Sequence, residues 1–414
     1  PTIRVLMFAC GIAHDYESLP EQLARALNQK EGLDVRISTD LADVNKKVLS
    51  DYDVILFNTC IKSGLKESQR QALLKAVRKG KGLIAVHCAL WCFQDWSEWR
   101  KIIGGILLKH DPYRSYDVIV IDRDHPIAKD LPARFTVTDE PYLVSERNPD
   151  MRVIVETADK HGPDKIIEPQ AWTIRYFGGR VFTTTFGHDE KVQTIPTFIK
   201  LLSNGIQWAA GRLGPATLPG RKELQEGFKP LFDGKVLKGW RYDRRFWKVN
   251  NGIIIGNTQP QGAEKHTFAI TERSFGDFIL RLSVKVVSGN SGIQFRSQEL
   301  SDFDVAGYQA DAALSGGWGN LHDLHGRGKL VDGWQGKSEK VVNLNDWNEM
   351  EVEARGRHIK IKVNSLITAD WIETDPDRSK TGVIALQLHS GKPMEVQFTN
   401  IRIKELVDTK KAAK

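Results

Sequence analysis

LIAVHCALWCF, residues 83–93, opens as an apolar run and then stops on a histidine and a cysteine. Such a run without polar alternation suits a parallel strand covered on both faces. In a doubly wound sheet the carboxyl ends of the parallel strands rim the crevice where ligands sit, which makes His87 a site candidate. Taken alone, it also fits a strand-end histidine bonded to a neighbouring loop. Working outward, IRVLMFAC (3–10), VRIS (35–38) and VILFN (54–58) are further apolar strands. LPEQLARALNQ follows the first and KESQRQALLKAVRKG the third, both with helical periodicity, and Gly80 stands as a C-terminal cap. Strand-helix alternation implies a parallel sheet with right-handed crossovers. From 116 the pattern turns strand-rich: YDVIVID, MRVIVETA and a hairpin, AWTIRYFGGRVFTTTF, turning at Gly178-Gly179. IPTFIKLLSNGIQWAAG (195–211) closes this half as an amphipathic helix.

The 414 residues allow two domains, with three the upper bound. Hydrophobic residues at 41% and charged residues at 27% are those of a globular chain, and no apolar run is long enough to span a bilayer. The net charge of +7, from 59 basic and 52 acidic residues, is scattered rather than gathered into a basic face. Nucleic-acid binding is therefore not expected. Cys10, Cys60, Cys88 and Cys92 lie in the first quarter, three of them ending apolar runs. This reads as buried-strand usage rather than a disulfide framework, and Cys88 with Cys92 lacks the second pair of a thiolate metal site. The opening PTIRVLMF is already a strand, compatible with a leader removed or never present.

RLGPATLPGRKELQEG (212–227) carries Pro, Gly and charge without a burying period and reads as a linker. Beyond it short alternating strands with Gly and Asn turns predominate, as in DFILRLSVKVVSGNSGIQFRS and WNEMEVEARGRHIKIKVNS. An antiparallel sandwich of jelly-roll type follows. The expected organisation is 1–211 α/β, 212–227 linker, 228–408 sandwich and a tail at 409–414.

Other histidines of the first half share the setting of His87. His14 follows the first strand, His110 precedes the 116 strand, and His188 ends TTTFGHDE. TDEPYLV adds Asp139 and Glu140. If their loops emerge on one sheet edge, these residues converge, and a divalent metal of the zinc or manganese type on the imidazoles of His14, His87, His110 and His188, chiefly the last three, with Asp139 or Glu140 nearby, is one expectation. Hydrogen bonding to a sugar is the other.

GKGLIAVHCA, GGILLKHDP, DHPIAKDLP, DEPYLV, QAW and GGRVFTTTFGHDE followed by GIQWAAG resemble the ThuA-like (trehalose utilisation) domain over about residues 2–211. The resemblance implies a flavodoxin-like sheet related to class I glutamine amidotransferases. Their nucleophile elbow would fall at Cys88, which lacks the flanking glycines, so a small buried cysteine is expected there. FKPLFDGKVLKGW, SGNSGIQFRS, GYQADA, WGNLHD and TGVIALQLHSG with VQFTNIRIKEL resemble the 3-keto-disaccharide hydrolase domain, a concanavalin-like jelly roll. A carbohydrate substrate and a periplasmic or secreted location are what the two resemblances imply, a cytoplasmic one being the alternative.

A ketone at carbon 3 of a sugar acidifies the hydrogen on carbon 2, so a base can remove it and the carbon-1 substituent leaves. Hydration of the enone completes a net hydrolysis. The reaction needs a base, donors for the enolate oxygen and an acid for the leaving oxygen. The expected catalytic residues are Arg296, Asp311, His389, His322 and Asp323. Gln309, Gln387, Trp318 as a stacking platform and Arg327 are expected to bind substrate. Period-two spacing puts Gln309 with Asp311, and Gln387 with His389, on common faces. His325 shares the WGNLHDLHGRG loop, where family members often carry Tyr-Asp-Glu in place of His322-Asp323-Leu324. Two other classes compete: a non-catalytic carbohydrate-binding protein, and a metal-dependent hydrolase centred on the first domain. An enzyme is favoured because a binding module has no use for Arg296, Asp311 and His389 together.

Overall fold

Strands β1 (Ile3–Phe8), β2 (Leu33–Ser38), β3 (Val54–Phe57) and β4 (Gly82–Val86) are the apolar runs of the first half, and they pair in parallel. The computed structural model describes residues 2–344 and 346–406, and the expected tail 409–414 lies outside the described residues. The first unit continues with β5 (Ile106–His110), β6 (Arg114–Val120), β7 (Arg134–Asp139), β8 (Tyr142–Ser145), β9 (Arg152–Thr157), β10 (Pro169–Tyr176) and β11 (Gly179–Thr184). Nine strands form one sheet in the order β2-β1-β3-β4-β11-β10-β9-β6-β7, while β5 pairs with β8 separately. The expected parallel sheet is thus mixed: β11 joins β4 in parallel, and the pairs beyond it are antiparallel.

Period two sorts the parallel strands onto two cores. Val5, Met7, Leu56, Ile84 and Val86 pack with helices α1 (Leu19–Asn28) and, later in the chain, Pro196–Ala209. Leu6, Phe8, Ile55, Phe57, Leu83 and Ala85 face the opposite side, against the helices Glu67–Arg78 and Ser97–Ile103. Burial on both faces explains why these strands carry no polar alternation.

The second unit is an antiparallel sandwich. Its strands relevant to the site are β12 (Thr267–Thr271), β13 (Phe278–Ser288), β14 (Asn290–Glu299), β15 (Val305–Ala313), β16 (Leu321–Leu324), β17 (Asn348–Arg355), β18 (His358–Val363), β19 (Leu366–Ile372), β20 (Val383–Leu388) and β21 (Glu395–Glu405). Strands β12, β20, β14, β15 and β16 neighbour one another in that order in a seven-stranded sheet. The opposing sheet contains β21, β13, β17, β18 and β19 in order. The core between them takes Ile293, Phe295, Tyr308, Ala310, Leu321, Ile384 and Leu386 from the first sheet. Residues at the intervening positions therefore face outward.

The chain divides after Gly214, which leaves most of the expected linker with the sandwich. There a short helix, Arg221–Gln225, directs Glu223 onto Arg402 at 2.9 Å and Arg281 at 3.1 Å. Charge pairing, invisible to a search for apolar periodicity, anchors this stretch.

Candidate functional site

Loops leaving the carboxyl ends of β1, β4 and β11 bring His14, His87 and His188 together. Their ring centroids are 5.0 Å (His14–His87), 5.0 Å (His14–His188) and 5.6 Å (His87–His188) apart. His87, with φ +49°, ends β4 in a left-handed turn and is buried. Its Nδ1 lies 2.6 Å from the Thr185 carbonyl and its Nε2 3.1 Å from the Tyr142 hydroxyl. Glu140 reaches among the rings: its carboxylate is 3.3 Å from His188 Nδ1 and 3.6 Å from both His87 Nε2 and His110 Nδ1. Asp139, fully buried, accepts from the Gly187 amide at 2.8 Å and the Glu140 amide at 2.7 Å. Gly187 adopts φ +141°, and a Cβ there would stand 3.0 Å from that of His87.

Burial, reinforced by the neighbouring His14, lowers the His87 pKa to about 3, so this imidazole is neutral at ordinary pH. Burial raises Asp139 to about 7 despite the two amides. The Glu140 carboxylate, 3.3 Å from its Nδ1, raises His188. His14, His87 and His188 each offer a ring nitrogen within 4.8 Å of the others. His110 is not in that group: it is exposed at the end of β5 and is linked to the cluster through Glu140 and the Tyr142 ring. Of the four histidines expected to converge, the geometry groups His14, His87 and His188 and leaves His110 outside that group.

The sulfurs of this edge also differ from expectation. Cys60, just past β3, is joined to Cys88 in a disulfide, because adjacent parallel strands end side by side with Cα atoms 5.1 Å apart. Buried strand ends and a disulfide are not alternatives here. Cys88 is accordingly no free nucleophile, and Cys92 is buried with its sulfur near Thr59 and Ile61.

On the outward face of the seven-stranded sheet an amide relay runs across three strands. Ser297 donates to Gln294 at 2.6 Å, Gln294 to Gln309 at 3.0 Å, and Gln309 Nε2 to both Asp311 (2.8 Å) and Gln387 (3.2 Å). The other Asp311 oxygen lies 3.2 Å from His322 Nδ1. This hydrogen bond raises the His322 pKa. His322 Nε2 and Gln387 Nε2 have no hydrogen-bond partner among the described residues. Gly292 makes room for the relay, since a Cβ there would stand 2.6 Å from the Gln309 side chain. His389 lies beside His266, with ring centroids 4.5 Å apart.

Five of the nine residues expected in this domain thus belong to the outward face: Gln309, Asp311, His322, Gln387 and His389. The other four do not. Arg296 sits in a β-bulge with φ +47°, and its side chain turns to the opposing sheet, donating to the Gly276 and Gly356 carbonyls and to Asp277. Trp318 is fully buried in the core and cannot stack on a ligand. Asp323 is on the inward side of β16, paired with Arg327 at 2.7 Å and with Arg378. Arg327 spends its guanidinium on Asp323 and Glu373. His325 is bound to Asp304 at 3.0 Å. Sequence reading missed Gln294, although alternation within SGIQFRS places it, and it missed His266, which only the β12–β20 pairing sets opposite His389.

Residues 4–209 match the family model for ThuA, trehalose utilisation. Residues 227–404 match that of the 3-keto-alpha-glucoside-1,2-lyase-like domain. The chain is a ThuA-family domain followed by a domain of the 3-keto-disaccharide hydrolase family. No curated protein matches it. Among solved structures it is similar to a Parabacteroides merdae protein described as ThuA-like, at 19% identity and TM-score 0.45, covering 51% of this chain and 90% of that one. A Parabacteroides distasonis protein described as a glycosyl hydrolase is 22% identical, TM-score 0.37, over 46% of this chain and 99% of that one. The carbohydrate binding module CBM66 of Bacillus subtilis is 17% identical, TM-score 0.33, over 40% and 96%. The second family makes the chain a carbohydrate-related protein.

Proposed function

We propose that the outward face of the seven-stranded sheet cleaves glycosides already oxidised at carbon 3. The observation that carries this is the Asp311–His322 pair. One carboxylate oxygen is held by Gln309 and the other orients Nδ1 of the imidazole, leaving Nε2 as a directed base. His322 takes the proton from carbon 2, the electrons of that C–H bond pass to the carbon-3 oxygen as an enolate, and its collapse forms the C1–C2 double bond as the C1–O bond breaks. Gln387 Nε2 donates to the carbon-3 oxygen while it carries enolate charge. His389, on the same face, delivers the proton to the departing oxygen. Water adding across the enone gives the free 3-keto sugar. The family description, a 3-keto-alpha-glucoside-1,2-lyase-like domain, supports the substrate class.

The test is a 3-keto-glucoside of a chromogenic alcohol. Release of the alcohol by the wild-type chain, lost about 10²- to 10⁴-fold in His322→Ala with folding intact, is the expected result. Saturable binding without release would make the face a carbohydrate-binding surface instead.

A further inference from the structure

We infer that the first domain binds one divalent transition-metal ion between His14, His87 and His188, with Glu140 as the neighbouring oxygen donor. Three strand ends remote in sequence deliver the three imidazoles to one point, with ring nitrogens within 4.8 Å of each other. Ligands on one tetrahedral ion stand about 3.3 Å apart, a separation that small ring rotations reach from here. The surroundings already supply outer-shell support. A metal-bound histidine characteristically donates its second ring N–H to a carbonyl or carboxylate, and His87 Nδ1 lies 2.6 Å from the Thr185 carbonyl. Its Nε2 then points into the cluster, where the Tyr142 hydroxyl at 3.1 Å rotates its hydrogen away without moving its oxygen. The Glu140 carboxylate, 3.3 Å from His188 and 3.6 Å from His87, brings negative charge to a site otherwise built from neutral donors.

A second donor set competes for the same ion, because His14 is also within 4.8 Å of the sulfurs of Cys60 and Cys88. The disulfide decides between them. Joined sulfurs carry no thiolate, so the imidazole set is the one able to bind. Imidazole with carboxylate suits zinc, cobalt, manganese or iron and disfavours magnesium and calcium, which take oxygen ligands. The site belongs to a different domain from the proposed glycoside face, and its test does not depend on that activity.

The full-length chain, stripped with chelator, is dialysed against zinc and, separately, against cobalt under non-reducing conditions. About one ion per chain is expected. His14→Ala and His188→Ala should each weaken binding by more than the roughly 10- to 100-fold that loss of an outer-shell partner costs, and Cys60→Ser should not. The cobalt-loaded wild type should show ligand-field bands of nitrogen and oxygen ligation and paramagnetically shifted imidazole protons, a readout that needs no variant to fold. Stoichiometry well below one, binding indifferent to both histidine variants, or a thiolate-to-cobalt charge-transfer band would each overturn the assignment.

Discussion

Arg296 and His322 were alike in sequence, polar residues interrupting apolar strands, yet the structure gives them opposite circumstances. The Arg296 guanidinium is buried and donates to two carbonyls and a carboxylate, whereas His322 is half-buried with one nitrogen held and one free. Arg296→Ala is therefore expected to destabilise the sandwich by about 1.5–3 kcal/mol for each charged hydrogen bond lost, since its partners Gly276, Asp277 and Gly356 are only half-buried. Denaturant titration checks this, and a wild-type midpoint would refute it. Alternation failed at Arg296 for a physical reason. The register shifts between Phe295 and Gln298, and a bulge of this kind reverses which face the following side chains occupy. A second expectation concerns protonation. His87 is buried and its pKa depressed to about 3, so its imidazole NMR shifts should stay those of a neutral ring between about pH 5 and 8. His322, raised by Asp311, should titrate above the usual value of about 6.5. A His87 that titrates in that interval would show that the ring is not enclosed as described.

Along β15 and β16 the two faces of one sheet carry two kinds of polar network. Gln309 opposite His322 forms the outward relay, while Tyr308 opposite Asp323 belongs to an inward lattice with Arg327, Arg378 and Glu373. Adjacent residues in the word HD thus have separate roles, and only the pairing register distinguishes them. Ion pairing with Arg327 and the Tyr308 hydroxyl hold the Glu373 pKa below its ordinary value against the opposing effect of burial. A carboxylate depressed in the folded state stabilises fully above its unfolded pKa of about 4.3, and that stabilisation is lost as pH falls through and below this value. Glu373→Gln should accordingly lower stability near neutrality by about 1.5–3 kcal/mol for each charged hydrogen bond lost, and it should flatten the acid limb of the stability curve. An unchanged acid limb would refute the role. The elements themselves were legible where burial set a simple period, as in β1, β3 and β4. Helix Arg221–Gln225 was not, because its anchor is the charge of Glu223 rather than an apolar stripe.

At the scale of the molecule, order and type of the two halves were readable because two families left their words in sequence along the chain. Convergence of His14, His87 and His188 was foreseen from strand ends. The exclusion of His110 was not, since it depends on β5 leaving the main sheet to pair with β8. The seam gives the last prediction. Contacts divide the chain after Gly214, and Glu223 pairs with Arg402 and Arg281 inside the second unit, so a fragment of residues 215–414 should fold as a β-rich unit with a cooperative transition. A fragment beginning at residue 228 loses Glu223 and should be less stable by about 1.5–3 kcal/mol for each charged hydrogen bond removed. Equal midpoints for the two would show that 215–227 contributes nothing to the fold. Fragment 215–414, set against residues 1–214, also tests where the chemistry lies. With the relay and both imidazoles contained in 215–414, that fragment should release the alcohol from a 3-keto-glucoside and leave the parent glucoside untouched, because an ordinary hydroxyl at carbon 3 does not acidify the hydrogen on carbon 2. Comparable cleavage of the parent glucoside would replace elimination with a conventional carboxylate mechanism. Release by residues 1–214 alone would move the reaction to the histidine cluster of the first domain.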